Sequence, residues 1–343
     1  MEALATKYRP HDWDSVTEQA SIKIILEQQL ENNEIKHAYL FCGGAGTGKT
    51  TCARIFANEI NHGHGNPIEM DAASHNGVDD VRDIIQQAKT KSIDSEYKCF
   101  IIDECHSISN TGWQAFLKII EEPPAKSIFI FCTTDPQKIP KTILSRVQRY
   151  DFQRISQDGI VGRLHWILEQ EFCANDEHIV NDVDEALIYI SKLSAGGMRD
   201  AITMMDKCLS YSDELTLENV IQALGVPSYD TLKELVDDII TGELGEAVKV
   251  IEEVHSSGKD LKQFVRTFME FVLDINKYNI LHSFDYLQVP ATEENVDWFN
   301  SLEDNDMEAC GKLLECLMKL MTSIKYSQSP KYDIEATLLV EFS

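Results

Sequence analysis

Gly43-Gly44-Ala45-Gly46-Thr47-Gly48-Lys49-Thr50 follows the apolar run Ala38–Cys42 and precedes a segment of helical character from Thr51 to Ile60. The pattern G-x-x-x-x-G-K-[ST] between a strand and a helix is a phosphate-binding loop in its required setting. Its glycines let the backbone curl so that successive N–H groups point inward at a triphosphate, and the following helix adds its positive end. Lys49 is expected to bridge the β- and γ-phosphates and Thr50 to hold Mg²⁺ through its hydroxyl, with Thr51 counted as part of the same nucleotide site. The alternative, an ordinary Gly-rich turn, lacks a reason for both flanks.

Downstream, Lys98-Cys99-Phe100-Ile101-Ile102-Asp103-Glu104 is an apolar strand ending in two carboxylates. A buried parallel strand delivers acids to the nucleotide edge of a sheet in this form, the Walker B arrangement. Asp103 is expected to ligate Mg²⁺, directly or through water, and Glu104 to orient and deprotonate an attacking water. Ser127–Thr133 reads as another buried strand, ending in Thr133-Thr134-Asp135-Pro136. A polar residue leaving the sheet there could touch the γ-phosphate or the water, or the segment is a plain Asp-Pro turn. Further strands are read over 67–70 and 149–152, and helices over 21–30 and 78–88, the latter entered by Gly77 with Asp79 and Asp80. Alternating strands and helices imply an α/β domain with a mostly parallel sheet.

From Ser156 to Leu224 the pattern is all helix, with Gly196-Gly197-Met198-Arg199-Asp200 opening a helix to about Leu209. Beyond Val226 it is helical again. Leu232, Leu235, Val236, Ile239 and Ile240 share one face, as do Leu313, Leu317, Met321 and Ile324. Gly225-Val226-Pro227 is the expected boundary between the two helical stretches, and the domains are read as 1–155, 156–225 and 226–343.

The chain of 343 residues carries a net charge of −26, unevenly spread. Residues 1–150 hold 16 Lys+Arg against 20 Asp+Glu, and residues 151–343 hold 15 against 37. Such acidity excludes a protein that coats DNA with its whole surface, while leaving room for one basic stripe in the first part. No apolar run is long enough to span a membrane. The first residues lack the apolar core of a signal peptide. Nine scattered cysteines form no C-x-x-C pair, and Cys42, Cys99 and Cys132 sit in strand-like runs, so a reducing, cytoplasmic setting is expected.

With these residues in view the chain resembles the AAA+ ATPases, and among them the gamma/tau (DnaX-type) clamp-loader subunits of bacterial DNA polymerase III. The resemblance rests on Lys7-Tyr8-Arg9-Pro10, His37-Ala38-Tyr39-Leu40-Phe41, Asp71-Ala72-Ala73-Ser74, Gly77-Val78-Asp79-Asp80-Val81-Arg82 and Glu121-Glu122-Pro123-Pro124. Thr133-Thr134-Asp135-Pro136-Gln137-Lys138 and Thr142-Ile143-Leu144-Ser145-Arg146 complete the set. It implies an α/β AAA+ domain, a helical lid and an all-α collar that packs subunits into a ring, by analogy a pentamer. Thr134, or Thr133 beside it, takes the place of the sensor-1 residue. Arg146 matches the arginine that reaches a neighbouring subunit's ATP site as a finger in trans, and Arg199 that of sensor 2, contacting the γ-phosphate from the lid. Lys7, Tyr8, Arg9 and Pro10 would lie along the adenine.

Three departures from the family pattern stand out. Val147 replaces a cysteine after Arg146. Residues 61–66, with His62 and His64, bridge to the next strand where the family inserts a four-cysteine zinc module, so no zinc is expected. The chain stops just past the collar, which suggests a compact form of bacterial or phage origin. The resemblance implies that ATP binding orders a ring which opens a sliding clamp and grips primer–template DNA, and that hydrolysis releases both. DNA would be held by its backbone, with Arg82 the leading candidate and Lys89 and Lys91 behind it, although each could be a solvated helix charge. The rival readings are an ATP-holding scaffold subunit with little turnover and another AAA+ motor such as a branch-migration helicase.

Overall fold

The structure is a computed structural model that describes residues 2–92, 94–172, 183–258 and 260–342. It divides into two compact units, Met1–Asn175 with Ile190–Asp206, and Asp176–Tyr189 with Lys207–Ser343.

The first unit is built on a five-stranded, all-parallel sheet of β1 (Ala38–Cys42), β2 (Ile68–Asp71), β3 (Lys98–Asp103), β4 (Ser127–Thr133) and β5 (Gln148–Asp151), in the order β2-β3-β4-β1-β5. Cys42 registers with Thr133 on one side and with Asp151 on the other, and Asp71 registers with Asp103. The motif-bearing ends of the strands therefore line up along one edge. Strand order reverses around β1, and the crevice beyond the carboxyl ends at such a reversal is where open α/β sheets take their ligands.

Every residue of β1 and β4 is buried, because helices cover both faces. Side chains alternate between two cores. Leu40, Phe100, Ile102, Phe129 and Phe131 pack with Val81 and Ile84 of α4 (Val78–Ala88) and with Trp113, Phe116 and Ile120 of α5 (Asn110–Glu121). Tyr39, Phe41, Ile101 and Ile130 face Leu26 of α2 (Ala20–Glu31) and Ala53 and Phe56 of α3 (Lys49–Ile60). The expected elements hold, with β2 one residue later than read, at Ile68–Asp71, and the last strand one residue earlier, at Gln148–Asp151. A short helix α1 (Leu4–Lys7) precedes them, with the backbone N–H of Leu4 on Asp206 at 3.1 Å.

After the sheet come helices Gln157–Glu171, Asp184–Leu193, Met198–Tyr211 and Leu217–Leu224. The stretch 173–182 of the expected helical run lies outside the described residues. Gly225 ends the last of these helices in the left-handed region at φ 70°, a conformation that favours glycine.

The second unit's core gathers Leu232, Leu235, Val236 and Ile239 from Tyr229–Thr241, Phe264, Phe268 and Val272 from Leu261–Leu281, and Leu313, Leu317 and Leu320 from Asp304–Ser323. Ile240 and Met321 of the expected stripes are only partly buried against it. Ser228 and Asp260 cap two of these helices by accepting backbone N–H bonds, from Thr231 and from Lys262 and Gln263. No helix among the described residues is long and apolar enough to cross a membrane.

Candidate functional site

A cleft of about 410 Å³ opens in the first unit at the ends of β1 and β3. Its wall includes Ala45, Gly46, Thr47, Gly48, Lys49, Thr50 and Thr51, then Asp103 and Glu104, and Arg199. Residues from three separate stretches of chain thus meet at one place.

The loop itself is shaped by what it must avoid. A β-carbon on Gly43 would lie 2.7 Å from the carbonyl oxygen of Phe152, so only glycine lets the loop leave β1 beside β5. Gly43 and Gly44 do not line the cleft. Their carbonyl oxygens accept from the Lys49 ammonium at 3.0 and 2.7 Å. Lys49 is buried, and burial pushes its ammonium below the ordinary lysine range. An anion in the cleft would satisfy that charge better than two neutral carbonyls can.

The Thr50 hydroxyl donates to Asp103 Oδ2 at 2.8 Å, joining the head of α3 to the end of β3. Asp103 Oδ1 accepts the backbone N–H of Glu104 at 3.0 Å. A hydroxyl and a carboxylate so placed form the small oxygen-donor set that Mg²⁺ takes when phosphates and water complete its shell. Glu104 itself turns off the strand at φ 44°, in the left-handed region. Its Oε2 accepts from the Thr134 hydroxyl at 3.0 Å, which brings the second acid and the polar exit of β4 together across 30 positions of sequence. Thr133 is fully buried, does not line the cleft, and accepts the backbone N–H of Asp135 at 3.0 Å.

Arg199 lies at the start of helix Met198–Tyr211, exposed and on the cleft wall. Tyr8, Arg9 and Pro10 line the cleft as well, but Lys7 does not, and its ammonium pairs with Glu171 at 2.6 Å. Tyr8 packs edge-on against Trp166 with ring centroids 5.6 Å apart, and Arg163 lies 4.2 Å from the Trp166 ring while donating to the Tyr8 carbonyl at 2.9 Å.

Arg146 stands apart from the cleft. Its guanidinium is 2.8 Å from Glu121 and donates to the Thr142 carbonyl at 2.7 Å and to the Ser145 hydroxyl at 3.0 Å. Arg82 is exposed on α4 and paired with Asp79 at 2.9 Å, and Lys89 and Lys91 are exposed just beyond that helix.

Three contributors escaped the sequence reading. Gln19, at φ 54°, is buried and donates to the Gln153 carbonyl at 2.7 Å while accepting the Gln153 N–H at 3.1 Å, with the Thr47 carbonyl 3.5 Å from the same amide. Arg163 braces the Tyr8 segment. His106, two residues after Glu104, approaches both Glu104 and Thr133. Only the proximity of His106 to the acid pair could have flagged it; Gln19 and Arg163 carry no local motif.

Residues 66–156 match the family model described as DNA polymerase III, delta subunit, and residues 215–340 match that described as DNA polymerase III subunits gamma and tau domain III. The chain is 32% identical to the DNA polymerase III subunit tau of Bacillus subtilis, over 98% of this chain and 62% of that protein. It is 33% identical to the gamma/tau subunit of Mycobacterium tuberculosis, over 80% of this chain and 50% of that one. The chain thus spans less than two thirds of the length of these relatives. Among solved structures, the RuvB Holliday junction branch migration motor of Thermotoga maritima superposes with a TM-score of 0.52 at 18% identity, over 74% of this chain and 86% of that one, a likeness of fold.

Proposed function

We propose, from its similarity to the DNA polymerase III gamma and tau subunits, that the chain is an ATP-hydrolysing subunit of a DNA sliding-clamp loader. The observation that carries the reading is the convergence of Lys49, Thr50, Asp103, Glu104 and Arg199 on one cleft of an AAA+ fold. A scaffold that merely holds nucleotide has no use for a threonine-oriented second acid.

In this reading the loop amides and Lys49 hold the phosphates, and Lys49 exchanges the carbonyls of Gly43 and Gly44 for phosphate oxygens. Thr50 and, directly or through water, Asp103 would hold Mg²⁺, which when bound offsets phosphate charge. Glu104, held by Thr134, takes a proton from the attacking water. Tyr8, Arg9 and Pro10 border the base. Arg199 senses the γ-phosphate from the lid side, and Arg146 leaves Glu121 for the neighbouring subunit's phosphate. A guanidinium fork suits either partner, since carboxylate and phosphate offer similar paired oxygens. Loss of the γ-phosphate weakens both arginine contacts, so hydrolysis loosens a subunit face and a lid together.

Function is divided among residues 1–155 for nucleotide chemistry, 156–225 for the lid and 226–343 for the collar that assembles a ring, a pentamer by family. The partners are other loader subunits, a sliding clamp and primer–template DNA, in the cytoplasm, with Arg82, Lys89 and Lys91 on the DNA side. The test is retention of the cognate clamp on nicked circular DNA with the full set of loader subunits. Retention should require ATP and this chain, and be lost with Lys49→Ala. Clamp retained equally with Lys49→Ala would refute the reading.

A further inference from the structure

Beside the acid pair, a short turn at Cys105–Ser107 swings His106 back over the end of β4. Its Nδ1 lies 3.2 Å from Glu104 Oε2 and 3.2 Å from Thr133 Oγ1. Glu104 Oε2 is therefore approached from two sides, by the Thr134 hydroxyl at 3.0 Å and by the imidazole.

Which way the proton points follows from the neighbours. A hydroxyl can donate once and accept twice, so Thr133, already accepting from Asp135, could give its proton to a bare Nδ1 or accept from a protonated one. A bare Nδ1 would turn its lone pair toward the Glu104 carboxylate at 3.2 Å, which is repulsive. A protonated Nδ1 offers its N–H to both oxygens. The tautomer of a histidine is set by the hydrogen bonds its nitrogens make, and here an anionic acceptor outweighs a neutral hydroxyl.

We propose that His106 is a positioning residue that holds Glu104 through Nδ1–H, with the buried Thr133 hydroxyl fixing the plane of the ring. Two donors on Oε2 restrain the carboxylate and leave its other oxygen to receive the proton of the water. The inference rests on Glu104 being the group that activates water. Its effect is on the chemical step, because His106 lies off the cleft wall and its ring nitrogen meets Glu104 and Thr133.

The experiment compares wild type, His106→Asn, His106→Ala and Glu104→Gln, with the other loader subunits, clamp and primed DNA present. Asparagine can place an N–H donor near the position of Nδ1. His106→Ala should lower kcat by roughly ten- to a hundredfold, with ATP affinity and melting temperature unchanged, and His106→Asn should restore most of the loss. In ¹⁵N-histidine-labelled full-length chain near neutral pH, the His106 resonance, assigned by its absence in His106→Asn, should show a protonated Nδ1. An Nε2–H tautomer with a bare Nδ1, or equal kcat for His106→Ala and wild type, overturns the inference. If Glu104→Gln hydrolyses ATP at the wild-type rate, it is the reading of Glu104 as base that has failed. A dead Glu104→Gln beside a fully active His106→Ala removes His106 alone.

Discussion

Met198 donates its backbone N–H to the carbonyl oxygen of Gly46 at 3.0 Å, so the helix that carries Arg199 begins on the phosphate loop itself. The contact is possible because Gly46 and Gly197 lack side chains: a β-carbon on Gly46 would lie 2.9 Å from Gly197 Cα, and Gly46 holds φ at 70°. A nucleotide seated in the loop would therefore bear on the start of the Arg199 helix.

Gly46→Ala should accordingly strain the loop and push the 196–199 turn away. The expected loss is about 1–3 kcal/mol in the stability of the first unit, with ATP affinity falling in parallel. Thermal melts with and without ATP check this. A variant with wild-type melting temperature and affinity would mean that the close approach carries no coupling.

Thr50→Val removes the 2.8 Å bond to Asp103 while keeping the shape of the side chain. Nucleotide should still bind, but the Mg²⁺ concentration for half-maximal hydrolysis should rise at least about tenfold, as for the loss of an oxygen ligand or its support. A Mg²⁺ titration of the hydrolysis rate decides it, and an unshifted midpoint would remove Thr50 from the metal site.

Arg146 and Glu121 are both part-exposed, so their ion pair adds little to folding, and Arg146→Ala should change stability by less than about 1 kcal/mol. Its effect should appear only between subunits. Mixing Arg146→Ala, which keeps its own phosphate loop, with Lys49→Ala, which keeps its finger, should recover hydrolysis that neither shows alone. Failure of the mixture to recover would contradict a finger acting in trans.

Several thiols give the fold a dependence on alkaline pH. Burial pushes Cys52, Cys99 and Cys310 up to about 12, and Cys42 and Cys208 up to about 11, from an ordinary value of 9.0. Between pH 9 and those values the unfolded chain has lost thiol protons that the folded chain keeps, so stability falls as pH rises. The contribution is complete below about pH 9 and is lost as pH passes through 11 to 12. Thiolate absorbance in an alkaline titration should rise near pH 9 in urea, but only together with unfolding in the native protein.

Much of this was legible in the chain. Residues 38–42, 99–102 and 128–132 are continuous apolar runs because the sheet is covered on both faces, and such runs announce themselves. The loop was equally plain, since its glycines and Lys49 have few other uses together. Contacts made between distant segments were not. That Thr134 would meet Glu104 depends on β3 and β4 being neighbours, and that Lys7 would turn to Glu171 depends on a helix 164 residues away. Gln19 ties residues 47 and 153 through one buried amide, and no periodicity or motif marks a residue whose role is to bridge two backbones.

The most direct test of the central claim is steady-state ATP hydrolysis by the assembled protein, with and without primed DNA and the cognate clamp, for wild type, Lys49→Ala and Arg146→Ala. The account predicts wild-type turnover that DNA and clamp together raise several-fold, and loss of that turnover in both variants. Turnover indifferent to the clamp, or unchanged in Arg146→Ala, would contradict it.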